Sequence, residues 1–312
     1  MGEHISVLLK ETIDLLDIKP NGIYVDCTLG RAGTSGEILK RIPNGHLYSF
    51  DVDDEAIAES RVKLSQIGSN YTIIRSNFRH LKTELEKLGV TKVDGLTIDL
   101  GVSSPQFDEG ERGFSYKEEA RLDMRMDTSR PFSAHDIVNT YTLNDLTRIF
   151  REYGEDPDAY QVAKLIVKER ASSPIDTTTQ LVDIIKRAKP KKSLLKKGHP
   201  AKQIFQALRI ETNDELGALQ EALDTMVDLI APNGVVAIIS FHSLEDRIVK
   251  RKFVSLSKIE GGRHSLAVRP EDVEVAPFIN LTSKPISASE EELEHNHRSH
   301  CAKLRGIKKK GE

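Results

Sequence analysis

Over its first hundred residues the chain alternates between short apolar runs and helix-length amphipathic stretches. The runs rich in β-branched and aromatic residues predict strands at residues 23–27, 46–51, 71–75 and 93–100. Helical patterns lie between them, at residues 34–41, 54–67 and 78–88. Strands separated by helix-length segments require right-handed crossovers and hence a parallel sheet. The chain is therefore constrained to an α/β fold with a doubly wound, mostly parallel sheet.

This alternation stops from about residue 109 to residue 206, where helical patterns follow one another at residues 134–153, 157–171, 178–189 and 201–208. It resumes with a helical pattern at 211–230 and a strand pattern at 235–240. We therefore predict one sheet domain, residues 1–108 and 209–312, with an inserted all-helical domain, residues 109–208. Residues 277–285 and 300–307 would add an antiparallel pair of strands.

Charge is distributed unevenly, although the net charge is only −3. Residues 186–202 contain eight Lys or Arg and no acid, and residues 298–310 contain six more without an acid. Each run has two interpretations, a solvated surface or a contact with a phosphate-bearing partner such as a nucleic acid.

The two cysteines, Cys27 and Cys301, are too few for a disulfide framework and indicate a reducing compartment. No apolar stretch approaches the roughly 20 residues that span a bilayer. We expect a cytoplasmic protein. His295, His297, His300 and Cys301 lack the paired spacing of a closed zinc site, so we expect no metal.

Polar residues at the predicted strand ends indicate a nucleotide-shaped ligand, because ligands of open α/β sheets bind at the carboxyl ends of the strands. Gly30, Gly33 and Gly36 resemble the dinucleotide fingerprint, and Asp51 follows Gly30 by 21 positions. That pattern fits an NAD-dependent oxidoreductase, and a purely structural glycine turn is a further alternative. Asp26 favours a different ligand, since its carboxylate would repel a pyrophosphate and attract a cation such as S-adenosylmethionine.

Two further residues would complete such a site. Asp51 ends the second strand and would hold the ribose hydroxyls, whereas Asp53 would help to cap the next helix. Phe78 follows the third strand, where an aromatic ring would stack on adenine, although a Phe at a helix start is also typical of a core.

The fourth strand ends at Asp99 and continues into a Ser-Ser-Pro loop, residues 103–105, followed by Gln106. Amino-methyltransferases carry a polar-Pro-aromatic loop at this place, and its Ser-Pro form is associated with cytosine N4. The N4 lone pair is delocalised into the ring and is a poor nucleophile. Oxygen acceptors such as the hydroxyl of Ser103 or Ser104 and the carbonyl before Pro105 would hold both N–H groups and favour a pyramidal nitrogen.

Taken together, the sequence resembles the bacterial family of small-subunit ribosomal RNA cytosine-N4 methyltransferases. The resemblance is carried in order by residues 4–9, 26–35, 99–106, 112–115, 122–127, 199–209, 240–247 and 302–305. It implies a Rossmann-like, class I methyltransferase fold, with a helical insertion at residues 109–208 that recognises the substrate. It also implies S-adenosylmethionine as cofactor, 16S rRNA in the small subunit as substrate and a tendency to dimerise. It places cofactor contacts on Ala32, Gly33, Thr34, Asp51, Phe78, Asp99 and Gln106.

The sequence departs from the family pattern at a few positions. Ala32-Gly33-Thr34 replaces the usual Gly-Gly-His, so that Ala32 must tolerate the backbone angles of a glycine. Ser6 stands where Pro is common, and His297, His300 and Cys301 replace the usual Pro, Arg and Ser.

Several roles stay open at this level. His242, after the fifth strand, would orient phosphate, accept a proton or cap a helix. Arg121, Arg125 and Arg130 would bind RNA backbone or pair with Asp123 and Asp127. Besides the oxidoreductase, the alternative function is a non-catalytic RNA-binding or ribosome-assembly module.

Overall fold

The computed structural model describes residues 6–101, 110–258 and 276–311. The chain forms two compact units, one of residues 1–101 and 217–312 (the sheet unit) and one of residues 102–216 (the helical unit). The boundary placed at residue 209 by the sequence pattern falls inside a helix that continues to Asn213. The division instead follows Leu216, because the helix packs within the helical unit: Leu208 lies in its core, and the Asn213 amide donates to the Met124 carbonyl near the helix end.

The sheet unit contains a seven-stranded sheet in the order β3-β2-β1-β4-β5-β7-β6. The strands, in chain order from β1 to β7, are Ile23–Asp26, His46–Asp51, Tyr71–Arg75, Val93–Asp99, Ile230–Ser240, Phe278–Asn280 and Lys303–Lys309. The first five are parallel to one another, with β1 between β2 and β4. The strand order reverses between β1 and β4, so the predicted doubly wound sheet is confirmed.

The last two strands form the predicted antiparallel pair. β7 lies between β5 and β6 and is antiparallel to both. Val235 pairs with Lys308 at the start of the regular part of β5, and Ser240 pairs with Lys303 at its end. Lys308 and Lys309 therefore lie at the amino end of the parallel strands, whereas Lys303 lies at their carboxyl end.

The helices, in chain order from α1 to α13, are Leu9–Leu16, Gly33–Leu39, Asp54–Ser65, Leu81–Lys87, Ala134–Thr140, Leu143–Glu152, Ala159–Arg170, Thr178–Ala188, Lys191–Leu194, Lys202–Asn213, Glu215–Leu229, Ser243–Ser257 and Glu290–His295. A short 3₁₀ turn, Phe78–His80, precedes α4. Asp53 caps α3 by accepting a hydrogen bond from the Glu55 N–H, so the helix begins at Asp54 as its first residue.

Within the sheet unit, side chains from the two sheet faces form separate apolar clusters. Val25, Leu96 and Ile98 are fully buried in one cluster, and Tyr24 and Leu47 are fully buried in the other. Strands buried on both faces read as continuous apolar runs, which is why periodicity located them in the sequence.

The described residues of the helical unit contain α5 to α10 and, besides these helices, an isolated β-bridge between Arg121 and Thr177. The helix predicted over residues 134–153 is two helices, because the chain turns extended at Tyr141 and Thr142 caps α6 through the Asp145 N–H. The unit has its own core around Phe150, Ile166 and Leu208.

Candidate active site

Asp26 ends β1 with its side chain turned inward. The side chain is 1% exposed. One carboxyl oxygen accepts a 2.7 Å hydrogen bond from the Ser35 hydroxyl, and the other accepts one from the Thr28 N–H at 3.1 Å. The Ser49 hydroxyl lies 2.8 Å from that of Ser35. Asp26, predicted to contact the cofactor, thus fixes the turn after β1 and the start of α2.

The turn after β1 is held from both sides. The Gly30 N–H donates to Asp51 at 2.9 Å, and the Gly30 carbonyl accepts from the Ser60 hydroxyl at 2.7 Å. The Ala32 N–H donates to the Leu29 carbonyl at 2.8 Å. These backbone groups of Gly30 and Ala32 are therefore engaged within the protein, and the turn is a rigid platform.

Two residues of this turn adopt left-handed backbone angles. Gly30 has φ 49° and Ala32, which caps α2, has φ 60°. The expectation that Ala32 carries glycine-like angles is confirmed. The next residue, Gly33, lies so close to Ser6 that a side chain there would clash with the Ser6 hydroxyl. Gly33 and Thr34 form the first turn of α2, where N–H groups have no partner within the helix.

Asp51 ends β2 and accepts three backbone hydrogen bonds. One oxygen accepts from Gly30, and the other accepts from Val52 at 2.8 Å and from Asp53 at 3.0 Å. Burial raises the pKa of Asp51, although these N–H groups favour its charged form. The carboxylate is thus fixed in direction beside the turn after β1.

Asp99 ends β4 and differs from the other two acids. Its N–H donates to the Thr28 hydroxyl at 2.7 Å, which ties β4 to the turn after β1. Its Oδ1 is shielded from solvent and accepts no hydrogen bond from any described residue. Burial, together with the nearby carboxyls of Asp26 and Glu245, raises the pKa of Asp99 to about 8. A shielded acceptor without a donor is costly unless a ligand supplies one.

The turn after β5 is organised by Glu245. Glu245 is 1% exposed, and one of its oxygens accepts from the N–H groups of Phe241 at 2.8 Å and His242 at 3.2 Å. His242 caps α12 in return, since its Nδ1 accepts from the Glu245 N–H at 3.4 Å. His242 therefore has a capping role. Its other ring nitrogen, Nε2, is shielded from solvent and lies 3.0 Å from a Glu245 carboxyl oxygen, but the two atoms do not form a well-directed hydrogen bond.

The carboxyl ends of β1, β2, β4 and β5 thus gather four acids, of which Asp26 and Glu245 are buried and Asp51 and Asp99 are partly buried. Burial raises the pKa of Asp26 to about 7, and the neighbouring Asp51 carboxyl adds to this effect. Ionisation of one carboxyl raises the pKa of its neighbours, so the group of acids carries fewer negative charges than it has carboxyl groups. A positively charged ligand would restore ionisation there, whereas a pyrophosphate would be repelled.

Four of the predicted site residues lie outside the described residues: Ser103, Ser104, Pro105 and Gln106. Phe78 is partly buried and packs against the core of the sheet unit, in the 3₁₀ turn after β3.

Of the three arginines with open roles, Arg125 has a structural one. Arg125 pairs with Asp123 at 2.6 Å and donates to the Thr128 carbonyl, so it holds its own loop together. At the end of the chain, Lys309 donates to the Ile230 carbonyl at 2.9 Å.

No group of three or more His, Cys, Asp or Glu within the described ranges is placed to hold a metal ion. Within these ranges, too, no helix has the length and apolar character needed to cross a bilayer.

The sequence did not reveal the residues that position the strand-end acids and the turn after β5. Ser35 and Thr28 hydrogen-bond to the strand-end acids, and Ser49 hydrogen-bonds to Ser35. Nothing in the local sequence of these three residues distinguishes them. Glu245 carried a signal, because a glutamate three residues after a helix cap is the spacing of a capping box.

Comparison with known proteins assigns the family. The model of the MraW methylase family matches residues 1–310. The chain belongs to this family. A curated relative in Streptococcus dysgalactiae subsp. equisimilis, ribosomal RNA small subunit methyltransferase H, is 53% identical over 310 residues, which cover 98% of this chain and 97% of the relative. The family expected from the sequence blocks is confirmed.

Solved methylase structures are more distant. An rRNA methylase from Streptococcus thermophilus is 10% identical with a TM-score of 0.40, and 99% of each chain is covered. An O-methyltransferase from Thermotoga maritima, described as SAM-dependent, is also 10% identical, with a TM-score of 0.41 over 100% of this chain and 69% of that one. Neither adds to the family assignment.

Proposed function

We propose that this protein is an S-adenosylmethionine-dependent methyltransferase that modifies N4 of a cytidine in the decoding region of 16S rRNA. Membership of a methylase family and the name of the 53% identical relative support methylation of small-subunit rRNA. The Ser-Ser-Pro loop after β4 supports cytosine N4 as the acceptor.

The single observation that carries the cofactor assignment is the shielded, unsatisfied Oδ1 of Asp99 amid other buried carboxyls. S-adenosylmethionine bears a sulfonium and an ammonium group. These positive charges would favour ionisation of the clustered carboxyls at the carboxyl ends of the strands, whose pKa values are raised. Asp51 is fixed where it would accept the ribose hydroxyls, and Gly33 and Thr34 would offer backbone N–H groups. Asp26 is assigned a positioning role, because its oxygens already hold the turn.

The site would act by positioning rather than through a covalent protein intermediate. S-adenosylmethionine, when bound, supplies a methyl group on a positively charged sulfur. The target cytidine would be unstacked into the site, where Asp99 and the loop oxygens of residues 103–105 would accept its N4 hydrogens. A proton must leave N4 as the new carbon–nitrogen bond forms, and Asp99 and His242 are the candidate acceptors within the protein.

Methyl-labelled cofactor incubated with the protein and either free rRNA or immature small subunits tests this function. After digestion to nucleosides, label is expected in N4-methylcytidine. RNA retention without label in cytidine would support the assembly-module alternative. Binding of NADH with no binding of S-adenosylmethionine would support the oxidoreductase.

A further inference from the structure

The basic run of residues 186–202 in the helical unit separates into two classes in the structure. Two of its eight cations are engaged within the protein. Arg187 pairs with Asp183 at 2.9 Å and with Glu169 at 3.0 Å. The Lys189 side chain is only 4% exposed and pairs at 2.5 Å with the fully buried Asp156. These two belong to the architecture of the unit.

The other six cations are exposed and make no ion pair with the described part of the chain: Lys186, Lys191, Lys192, Lys196, Lys197 and Lys202. Four of them lie on α9 and the turn that follows it, within seven residues. No acid occurs between residues 186 and 202 to neutralise them. This segment therefore presents a concentrated positive charge to solvent.

The same segment exposes an apolar side chain between its two lysine pairs. Leu195 is 87% exposed, and Leu194 beside it is 38% exposed. A leucine left in water at the tip of a charged turn contributes nothing to the core. Single exposed apolar side chains are common on protein surfaces, so the lysines rather than these leucines define the segment.

An aromatic pair lies beside the run. The rings of Tyr116 and His199 stack with centroids 4.4 Å apart and planes within 8°, and Tyr116 also meets the edge of Phe205. Both stacked rings are partly exposed. Burial, together with the charges of Lys186 and Lys117, lowers the pKa of His199, which favours its neutral imidazole. A neutral, partly exposed stack flanked by lysines suits nucleobases as well as phosphates.

We propose that α9 and the turn to Ala201, with Lys191, Lys192, Lys196 and Lys197 at its centre, form a binding surface for the phosphate backbone of the rRNA substrate. This inference rests on the proposed function and deepens it by locating an RNA contact. Lysines on flexible stems contact phosphates without reading bases, so the surface would strengthen binding without choosing the target cytidine. The absence of acids favours a polyanion, and the partly exposed aromatic stack favours RNA over an acidic protein surface.

The test substitutes Gln for these four lysines in the full chain. The matched control substitutes Gln for Lys10, Lys164, Lys250 and Lys284, which are also exposed and have no ion pair within the described residues. Binding of each protein to a small-subunit rRNA transcript is measured across a range of salt concentrations. Each lost contact with single-stranded phosphate should reduce the slope of log K against log salt by about 0.7.

The four-lysine variant is expected to bind RNA about tenfold or more weakly near 0.15 M salt, with a slope shallower by about 3 if all four lysines engage. It should bind S-adenosylmethionine like the wild type and keep kcat while KM for RNA rises. The control should keep the wild-type slope.

Equal affinity and slope in variant and wild type would overturn the proposal. So would weaker binding of the variant to assembled small subunits with unchanged binding to naked rRNA, since that result would identify a protein partner. Failure of the proposed function gives a different result, namely wild-type RNA binding with no label in cytidine.

Discussion

The carboxyl edge of the sheet and the lysine surface of the helical unit place charge in opposite ways. At the sheet edge the carboxyls of Asp26 and Asp51 are fixed by hydrogen bonds, whereas Asp99 has a shielded oxygen without a donor among the described residues. Burial raises the pKa of all three acids. On the segment from Lys191 to Lys197 the charges are exposed on flexible side chains. Methyl transfer to a single atom requires groups held in fixed positions, whereas binding of a polyanion such as RNA requires only a high local concentration of positive charge. Four variants break or sharpen this contrast.

The largest effect is expected where a buried charge occurs within the exposed run. Lys189→Ala would leave the buried Asp156 carboxylate without its partner and should reduce the free energy of unfolding by about 3–5 kcal/mol. Lys191→Ala, two residues away and exposed, should change it by less than about 0.5 kcal/mol. Urea denaturation of the full chain compares the two variants. Equal stability would show that the Lys189 pair is not the structural element described.

A smaller loss is expected at the sheet edge for Glu245→Ala. The substitution removes the acceptor of the Phe241 and His242 N–H groups and should cost about 1–3 kcal/mol, seen as a lower Tm. Glu294→Ala, on the exposed side of α13, is the control and should leave Tm unchanged. If both variants melt like the wild type, Glu245 does not hold the turn after β5.

The pH dependence of donor binding follows from the raised pKa values. Asp99 is protonated in the ligand-free protein below about pH 8. A bound cation favours the carboxylate, so affinity should increase from pH 6 to pH 8 by up to about tenfold per unit for each proton released, and then level off. Calorimetry in buffers of different ionisation enthalpy measures that release. Affinity that stays constant over this range would contradict the coupling.

The raised pKa of Asp99 also determines whether its contribution to the free energy of unfolding increases or decreases with pH. In the unfolded chain an aspartate has a pKa near 3.9 (an approximate reference value), so between about pH 4 and pH 8 the folded protein binds more protons than the unfolded one. The contribution of Asp99 to stability is therefore present at low pH and decreases as pH rises through this window. Asp99→Asn should remove that part of the dependence.

The smallest effect concerns Ala32. Its φ of 60° is strained for a residue with a Cβ, so Ala32→Gly should raise stability by less than about 1 kcal/mol, offset in part by the lost methyl group. Ala56→Gly, within the regular helix α3, should change stability in the opposite direction by a similar amount. Thermal unfolding distinguishes the signs. A lower Tm for Ala32→Gly would mean that packing outweighs strain.

Sequence and structure agree best where one local pattern decides the outcome. Apolar runs located the parallel strands, and strand ends located Asp51 and Asp99. The inward direction of Asp26 was not predictable, because it depends on a hydrogen bond from Ser35, which is in turn hydrogen-bonded to Ser49 on the neighbouring strand.

The sorting of the lysine run was hidden for the same reason. Lys189 and Lys191 look alike in sequence, and only the fold brings Asp156, 33 residues away, to one of them. The division of residues 134–153 into two helices was missed because its apolar periodicity continues past the break at Tyr141. Ser103, Ser104, Pro105 and Gln106 remain predictions from sequence.

Titration of S-adenosylmethionine into wild type and Asp99→Asn at pH 8 tests the central claim most directly. Loss of a hydrogen bond to a charged group is worth about 1.5–3 kcal/mol, so Asp99→Asn should bind the donor roughly 10- to 100-fold more weakly. Asp14→Asn, on the exposed face of α1, should bind it like the wild type. Wild-type affinity in the Asp99→Asn variant would contradict the assignment of the carboxyl edge as the donor site.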